Sequence, residues 1–230
     1  MKRKELIIAI DGPAASGKST TARLVARTLG YLHIDTGAMY RAFTLKVLRE
    51  GIAPSDTENI ARIIAESHVE LRQEDTSLSV FLDGENVSGD IRSEKVTRIV
   101  SAVSSIKAVR AAMVQEQRRL GRNGGVVLEG RDIGTVVFPD ADLKIFMMAG
   151  IEERATRRKQ ELQQQGVEMP VDRLLKEIRE RDIQDSTRAE SPLIRAEDAI
   201  LIDTSGLGIE EQVDRVVEEA VKLLKEREQA

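Results

Sequence analysis

Gly12-Pro13-Ala14-Ala15-Ser16-Gly17-Lys18-Ser19 fits the phosphate-binding pattern G-x-x-x-x-G-K-[ST] at every position. An apolar run over 6–10 precedes it, as expected of a strand buried on both faces, and an apolar period of three to four residues over 22–29 follows it, as expected of a helix. Between a strand and a helix, such a loop turns backbone N–H groups and the helix N-terminus towards phosphate oxygens. The stretch therefore predicts a site for a nucleoside triphosphate, with the Lys18 ammonium on the β- and γ-phosphates and the Ser19 hydroxyl on Mg²⁺.

The rest of the chain continues as alternating apolar runs and amphipathic stretches. Further short apolar runs lie at 31–34, 126–128, 143–148 and 199–202, and helical periodicity separates them. Residues 68–90 instead alternate apolar and polar positions around Asp83-Gly84, a hairpin-turn dipeptide. The sequence therefore predicts an α/β fold: a five-stranded parallel sheet of the P-loop NTPase type covered by helices, a small antiparallel β-rich insert and a short helical lid.

We expect one domain over 1–230, because this length suits a single α/β core with an insert. The lid is expected because Arg154, Arg157 and Arg158 lie near the start of a helix, where a mobile hairpin would close over phosphates and exclude water. An ordinary solvated helix face is the alternative. The predicted division is a core of 1–37, 105–150 and 190–230, a region with the insert at 38–104, and a lid at 151–172.

The composition excludes several classes of protein. The formal net charge is −4 and aromatic residues make up 3%, which provides no basic or aromatic surface for nucleic acid or for a membrane. The absence of cysteine excludes disulfides and thiolate metal sites and fits a reducing compartment. No apolar stretch approaches the length of a membrane span, and the first one ends at Asp11, too early for a signal peptide. We therefore expect a cytoplasmic protein that acts on small molecules.

Polar clusters follow two of the predicted strands. Asp35-Thr36-Gly37, with Tyr40 and Arg41 on the next helical turn, follows the second strand, and Glu129-Gly130-Arg131-Asp132 follows the third. Each cluster taken alone is equally consistent with a capped turn that carries surface charges. Because ligands of open parallel sheets bind at the carboxyl ends of the strands, the shared placement beside the phosphate loop favours a binding site.

A helical stripe after Val171 changes character along its length. Leu174, Ile178, Arg181, Asp185 and Arg188 follow one another by three or four residues, so a continuous helix would place them on one face. The stripe is apolar first and ionic later, which predicts a helix that packs at its start and lines a polar cleft at its end. A surface ladder of arginine and aspartate is the alternative. His33 and His68 look isolated and receive no predicted role.

With these residues in place, the chain resembles the bacterial cytidylate kinases, a family of nucleoside monophosphate kinases, over essentially its whole length. Four motifs carry the resemblance: Ile10-Asp11-Gly12-Pro13, Asp35-Thr36-Gly37-Ala38-Met39-Tyr40-Arg41, the run from Gly130 to Val137, and Arg181-Asp182-x-x-Asp185. The phosphate loop alone occurs in many unrelated proteins, whereas the four motifs in this order are specific. The resemblance implies Mg²⁺-dependent phosphoryl transfer from ATP to CMP or dCMP by a monomer.

The resemblance also implies residue roles. Arg41 and Arg131 would hold the monophosphate of CMP, and Ser101, Arg110 and Asp132 would contact the cytosine. Catalytic roles fall to Lys18, Arg131, Asp132 and Arg188. The implied ATP site comprises Gly12, Pro13, Ala14, Ala15, Ser16, Gly17, Lys18, Ser19, Thr20, Arg157 and Arg158. The implied CMP site comprises Thr36, Tyr40, Arg41, Ser101, Arg110, Gly130, Arg131, Asp132, Arg181, Asp185 and Arg188.

One residue departs from the family pattern. Where the family usually has aspartate before Gly-Arg-Asp, this chain has Glu129, which is one methylene longer. Ser19 is the expected ligand of Mg²⁺, and either Asp35 or Glu129 is expected to act on the metal through water. The sequence does not choose between these two acids.

Three other functions compete with cytidylate phosphorylation. The first is a P-loop kinase for UMP, AMP or another small metabolite, since spacing alone names no base. The second is a GTPase-type switch, which the absence of an Asn-Lys-x-Asp motif disfavours. The third is a non-catalytic nucleotide-binding module, which the intact Lys18 and Ser19 and the arginine clusters disfavour.

Overall fold

A computed structural model describes residues 5–74, 77–164 and 166–229. In chain order its strands are β1 (Ile7–Asp11), β2 (Leu32–Asp35), β3 (Val69–Glu74), β4 (Ser77–Leu82), β5 (Glu85–Asn86), β6 (Val126–Gly130), β7 (Leu143–Met148) and β8 (Ile200–Asp203). Its helices are α1 (Lys18–Leu29), α2 (Thr36–Arg49), α3 (Thr57–Glu66), α4 (Glu94–Ser104), α5 (Lys107–Gly121), α6 (Ile151–Gln164), α7 (Val171–Thr187) and α8 (Ile209–Glu228). A 3₁₀ turn at Asp90–Arg92 and a π-helical turn at Ile133–Val137 complete the described elements.

The central sheet has five parallel strands in the order β2-β6-β1-β7-β8, which confirms the predicted fold class. Every residue of β1 and β6 is buried, as expected of strands covered on both faces. One face packs against α1 and α8, and the other against α2 to α5. Because β1 lies between β6 and β7, the carboxyl ends of β1, β2 and β6 meet at one edge, where open parallel sheets bind ligands.

The predicted insert is a separate antiparallel sheet in the order β3-β4-β5. Asp83 and Gly84 both have positive φ, 51° and 86°, so the predicted dipeptide forms the hairpin turn between β4 and β5. The buried side chains of Val80 and Leu82 join this sheet to the core on the α2 side. The described residues include no helix long and apolar enough to cross a membrane.

The helices α6 and α7 form a hairpin with an apolar cluster of their own, which includes Leu174 and Ile178. The prediction of one continuous helical stripe is wrong at its last member. Helix α7 ends at Thr187, and Arg188 has extended backbone angles. The Arg188 Nε donates a hydrogen bond to the Ser191 carbonyl at 2.6 Å, which turns the chain back at this point.

Candidate active site

A cleft of about 670 Å³ opens at the carboxyl edge of the central sheet. Almost all of the residues that the sequence analysis selected line it, from the phosphate loop to the end of α7. Among the residues assigned to the ATP and CMP sites, Gly12, Pro13 and Arg157 do not line it, and neither does Arg154 of the expected lid. The structure thus brings three of the four sequence motifs together around one cavity, which the phosphate loop also lines from Ala14 onward.

The phosphate loop depends on two glycines. At Gly12, φ is +149° and an added Cβ would lie 2.0 Å from the carbonyl oxygen of Met147 in β7. At Gly17, φ is +94° and an added Cβ would lie 2.7 Å from the Gln212 side chain. Gly17 offers no side-chain cap, so the first N–H groups of α1 remain available to an anion.

Lys18 is held inside this loop. Its side chain is 5% exposed, and Nζ donates hydrogen bonds to the Pro13 carbonyl at 2.6 Å and the Ser16 hydroxyl at 3.3 Å. Burial and the positive charges of Arg131 and Arg181 lower the pKa of Lys18 to about 7. The charged form of the Lys18 amine is therefore destabilised until an anion binds nearby.

A chain of polar contacts joins β2, β6 and α1 beside Lys18. The Ser19 hydroxyl donates to Glu129 Oε2 at 2.5 Å, and His33 Nε2 lies 3.1 Å from Glu129 Oε1. Burial favours a raised pKa for Glu129, but the contacts to His33 and Ser19 and the charge of Lys18 outweigh it and hold that pKa below its usual value. The sequence-based description of His33 as isolated is therefore wrong.

Asp35 has a different role in the structure. It caps α2, since its Oδ1 accepts the Ala38 N–H at 2.9 Å. Burial and the nearby charge of Glu129 raise the pKa of the Asp35 carboxyl. Of the two acids that the sequence left open, Glu129 is the one bonded to Ser19.

The cleft is also lined by a buried group of three charged side chains. The guanidinium of Arg110 contacts the carboxylate of Asp132, and both side chains are 5% exposed. Arg188 Nη2 lies 3.8 Å from the other oxygen of Asp132. The ring of Tyr40 lies 5.3 Å from the Arg110 guanidinium carbon. A flat aromatic ring beside paired polar groups suits a planar, hydrogen-bonding ligand.

Further cationic side chains line the same cleft. Arg131 Nε donates to Asp185 Oδ2 at 2.7 Å, and Arg41 donates to the Thr97 hydroxyl at 2.8 Å. Burial and the charge of Arg131 lower the pKa of Arg181 to about 9, and burial and the charge of Arg158 lower that of Arg41 to about 10. Converging guanidinium groups of this kind suit a phosphate.

The arginines of α6 have separate places. Arg154 pairs with Asp182 of α7 at 2.7 and 3.0 Å and donates to the Ala14 carbonyl of the phosphate loop at 3.4 Å. Arg157 does not line the cleft and donates to the hydroxyl and carbonyl of Thr204 at 2.9 and 2.7 Å. Arg158 lines the cleft, so the α6–α7 hairpin contributes to the cavity wall.

Asp11 is a site residue that the sequence analysis missed, because it was read only as the end of an apolar run. Its two carboxylate oxygens accept the backbone N–H groups of Ile133 at 2.9 Å and Gly134 at 2.8 Å. Burial raises the pKa of Asp11 to about 6, although these hydrogen bonds oppose the shift. Asp11 thereby fixes the turn that presents Arg131 and Asp132 to the cleft. The motif Ile10-Asp11-Gly12-Pro13 contained the residue but gave no partner for it.

The comparisons with known proteins agree with this geometry. The family model described as cytidylate kinase matches residues 8–222. A cytidylate kinase of Geobacillus sp. (strain WCH70) is 50% identical over 216 residues, which cover 94% of this chain and 96% of that protein. A cytidylate kinase of Geobacter sulfurreducens is 46% identical over 228 residues, which cover 99% of this chain and 96% of that protein.

Among solved structures, an uncharacterized protein from Eubacterium ventriosum matches with a TM-score of 0.51 at 12% identity. The match covers 94% of this chain and 98% of that one, and it supports the fold alone. The family model and the curated relatives decide the classification. The chain belongs to the cytidylate kinase family.

Proposed function

We propose that this chain transfers the γ-phosphoryl group of ATP to CMP or dCMP, giving ADP and CDP or dCDP. The observation that carries the proposal is one cleft lined by a phosphate loop, a buried Arg110–Asp132 pair and several arginines. That combination suits a donor triphosphate and an acceptor monophosphate whose base is held by the buried pair. Membership of the cytidylate kinase family supports the same assignment.

At the donor end, Gly12–Thr20 would hold the phosphates of ATP through backbone N–H groups and Lys18. Lys18 is buried, and its charge is poorly solvated there. A bound phosphate would therefore stabilise the charged form of its amine. Arg158 would add charge from α6, as part of a lid over 151–172. Arg157 would act on the ATP side only after leaving Thr204.

At the acceptor end, Arg41, Arg131 and Arg181 would surround the monophosphate of CMP. Ser101, Arg110 and Asp132 would hold the cytosine, since a carboxylate accepts from an exocyclic amino group and a guanidinium donates to a carbonyl. Tyr40, Asp185 and Arg188 would border the ribose, and Thr36 and Gly130 would lie beside the phosphate. These roles divide the cleft residues between the two substrates.

The reaction needs no general base in this cleft. The attacking atom would be a phosphate oxygen of CMP, which is anionic near neutral pH. Lys18, Arg131 and Arg188 would hold donor and acceptor in line and offset the charge on the transferring group. Removing water from between two anionic phosphates would make these cations more effective.

The residues present fit Mg²⁺ delivered with ATP. No group of three or more histidine, cysteine or acidic side chains that would hold a metal by itself occurs in the described ranges, as expected where phosphates supply most ligands. Ser19 offers a hydroxyl oxygen, and Glu129 lies 2.5 Å from it to accept from metal-bound water. When bound, Mg²⁺ would neutralise charge on the β- and γ-phosphates.

The test is ADP release by the purified protein with ATP and Mg²⁺, offering CMP, dCMP, UMP, AMP and GMP separately. We expect strong turnover with CMP and dCMP, weak turnover with UMP and none with purine nucleotides. Lys18→Ala, prepared in parallel, is the control for contaminating kinases. Faster turnover with AMP or UMP than with CMP would overturn the cytosine assignment, and no turnover with any acceptor would overturn the proposed reaction.

A further inference from the structure

We propose that His33 is a positioning residue that fixes the Glu129 carboxylate on the Ser19 hydroxyl, and so prepares the place where Mg²⁺ enters with ATP. The inference rests on the proposed function, because it assigns a role within the same donor site. It concerns a residue for which neither the loop motif nor the strand-end clusters provide a role.

The sheet register brings His33 to Glu129. β2 pairs in parallel with β6, with Asp35 opposite Glu129 and His33 opposite Val127. Side chains two residues apart on a strand lie on the same face, so His33 and Asp35 share a face. His33 therefore approaches Glu129 from β2, an edge strand of the central sheet, rather than from a loop.

Both oxygens of Glu129 are engaged. Oε1 faces His33 Nε2 at 3.1 Å, and Oε2 accepts the Ser19 hydroxyl at 2.5 Å. His33 is 6% exposed and Glu129 is 4% exposed, so water does not replace these contacts. A glutamate side chain has three rotatable bonds, and the His33 contact removes the freedom that would let its carboxylate swing off Ser19.

The hydrogen-bond pattern also sets the direction of the contact. The ionised Glu129 carboxylate only accepts, so His33 Nε2 must donate to it. His33 Nδ1 is buried with no hydrogen-bond partner among the described residues. A lone-pair nitrogen tolerates that environment better than an orphaned N–H donor does, which favours a proton on Nε2.

The experiment compares His33→Met, which removes the donor, with His33→Gln, whose amide nitrogen can take the place of Nε2. Calorimetric titration with ATP alone, without acceptor, measures the affinity of each variant in EDTA and over a range of Mg²⁺ concentrations. His68→Met is the matched control, because His68 is exposed and does not line the cleft. Glu129→Gln tests the other partner of the contact.

We expect His33→Met to need about tenfold more Mg²⁺ for the same gain in ATP affinity. An effect of this size is typical when a residue that hydrogen-bonds to a metal-site side chain is removed. ATP affinity in EDTA should not change. His33→Gln should restore the Mg²⁺ dependence to within about twofold of the natural protein, and His33→Met combined with Glu129→Gln should be no worse than Glu129→Gln alone.

Three results would overturn the inference. They are an unchanged Mg²⁺ dependence of ATP affinity in His33→Met, an equal loss of ATP affinity with and without Mg²⁺ in that variant, or a His33→Gln variant whose Mg²⁺ dependence is as impaired as that of His33→Met. If His33→Met does not fold, ¹⁵N NMR of the natural protein decides, since the chain has 2 histidines and His68 serves as reference. A proton on Nδ1 of His33 rather than Nε2 would reject the contact. The titration contains no phosphoryl acceptor, so its result does not depend on whether the protein phosphorylates CMP.

Discussion

Replacing Lys18 with methionine should make the nucleotide-free protein more stable near neutral pH while abolishing phosphoryl transfer. The ammonium group is 5% exposed, and Arg131 and Arg181 add positive charge around it. Methionine keeps most of the aliphatic volume and removes the charge. Turnover should fall by orders of magnitude, because the lysine is proposed to contact the transferring phosphates.

The magnitude follows from the pKa of Lys18, which burial and neighbouring arginines lower from 10.5 to about 7. A lowered pKa means that folding penalises the charged amine, so the penalty is complete below pH 7 and declines as pH rises towards 10.5. At about 1.4 kcal/mol per unit, the penalty is about 5 kcal/mol at pH 6 and about 2 kcal/mol at pH 9. Loss of the hydrogen bond to the Pro13 carbonyl costs the variant about 1 kcal/mol at every pH.

Urea unfolding of both proteins between pH 6 and pH 9, without nucleotide and with EDTA, measures the difference in free energy of unfolding. The advantage of Lys18→Met should shrink by about 3 kcal/mol over this range. Lys95→Met, at an exposed lysine of α4, is the matched control and should give a difference that does not change with pH. A Lys18→Met advantage that stays constant or grows with pH would refute the reasoning, as would near-full activity of the variant.

Three further substitutions test other parts of the cleft. Asp132→Asn should lower the free energy of unfolding by about 3 kcal/mol in urea titrations, because it leaves Arg110 and Arg188 without their buried counter-charge. Arg110→Met should lower it by less, and equal losses in the two variants would count against this reasoning. Arg181→Met should raise the KM for CMP far more than the KM for ATP in steady-state kinetics, and an equal rise in both would reject its place at the acceptor. Gly12→Ala should lose ATP binding in calorimetry or fail to fold, since its Cβ would lie 2.0 Å from a β7 carbonyl oxygen, and normal binding would contradict that geometry.

Features set by local sequence were predictable. The buried strands, the phosphate loop and the hairpin turn at Asp83-Gly84 each depend on a few consecutive residues, and the structure confirms the fold that they predict. The gathering of strand-end clusters was also predictable, because parallel strands share a carboxyl edge. The sequence was enough to select most of the charged lining of the cleft, but not its apolar part, which includes Val80, Ile91 and Val100.

Features set by strand register and side-chain direction were not predictable. His33 meets Glu129 because β2 and β6 pair with one register, and a single sequence contains no signal for that register. The partners of Asp11 lie more than a hundred residues away along the chain, across β1 and the turn after β6. Arg157 and Arg158 are adjacent, yet only Arg158 lines the cleft, since neighbouring helical positions point in different directions.

The cleft has an excess of positive side chains, whereas the whole chain has a net negative charge. The predicted effects of substitutions in the cleft follow from this difference. The formal net charge is −4, yet nine lysines and arginines and five acidic residues line the cleft in the described part of the chain. Burial, and the repulsion between cations in the absence of phosphates, lower the pKa values of Lys18, Arg41 and Arg181. Removing one of these three cations should therefore stabilise the nucleotide-free fold, and removing an acid should destabilise it. Bound nucleotides reverse that balance, so the same cations that weaken the empty protein should stabilise its complexes.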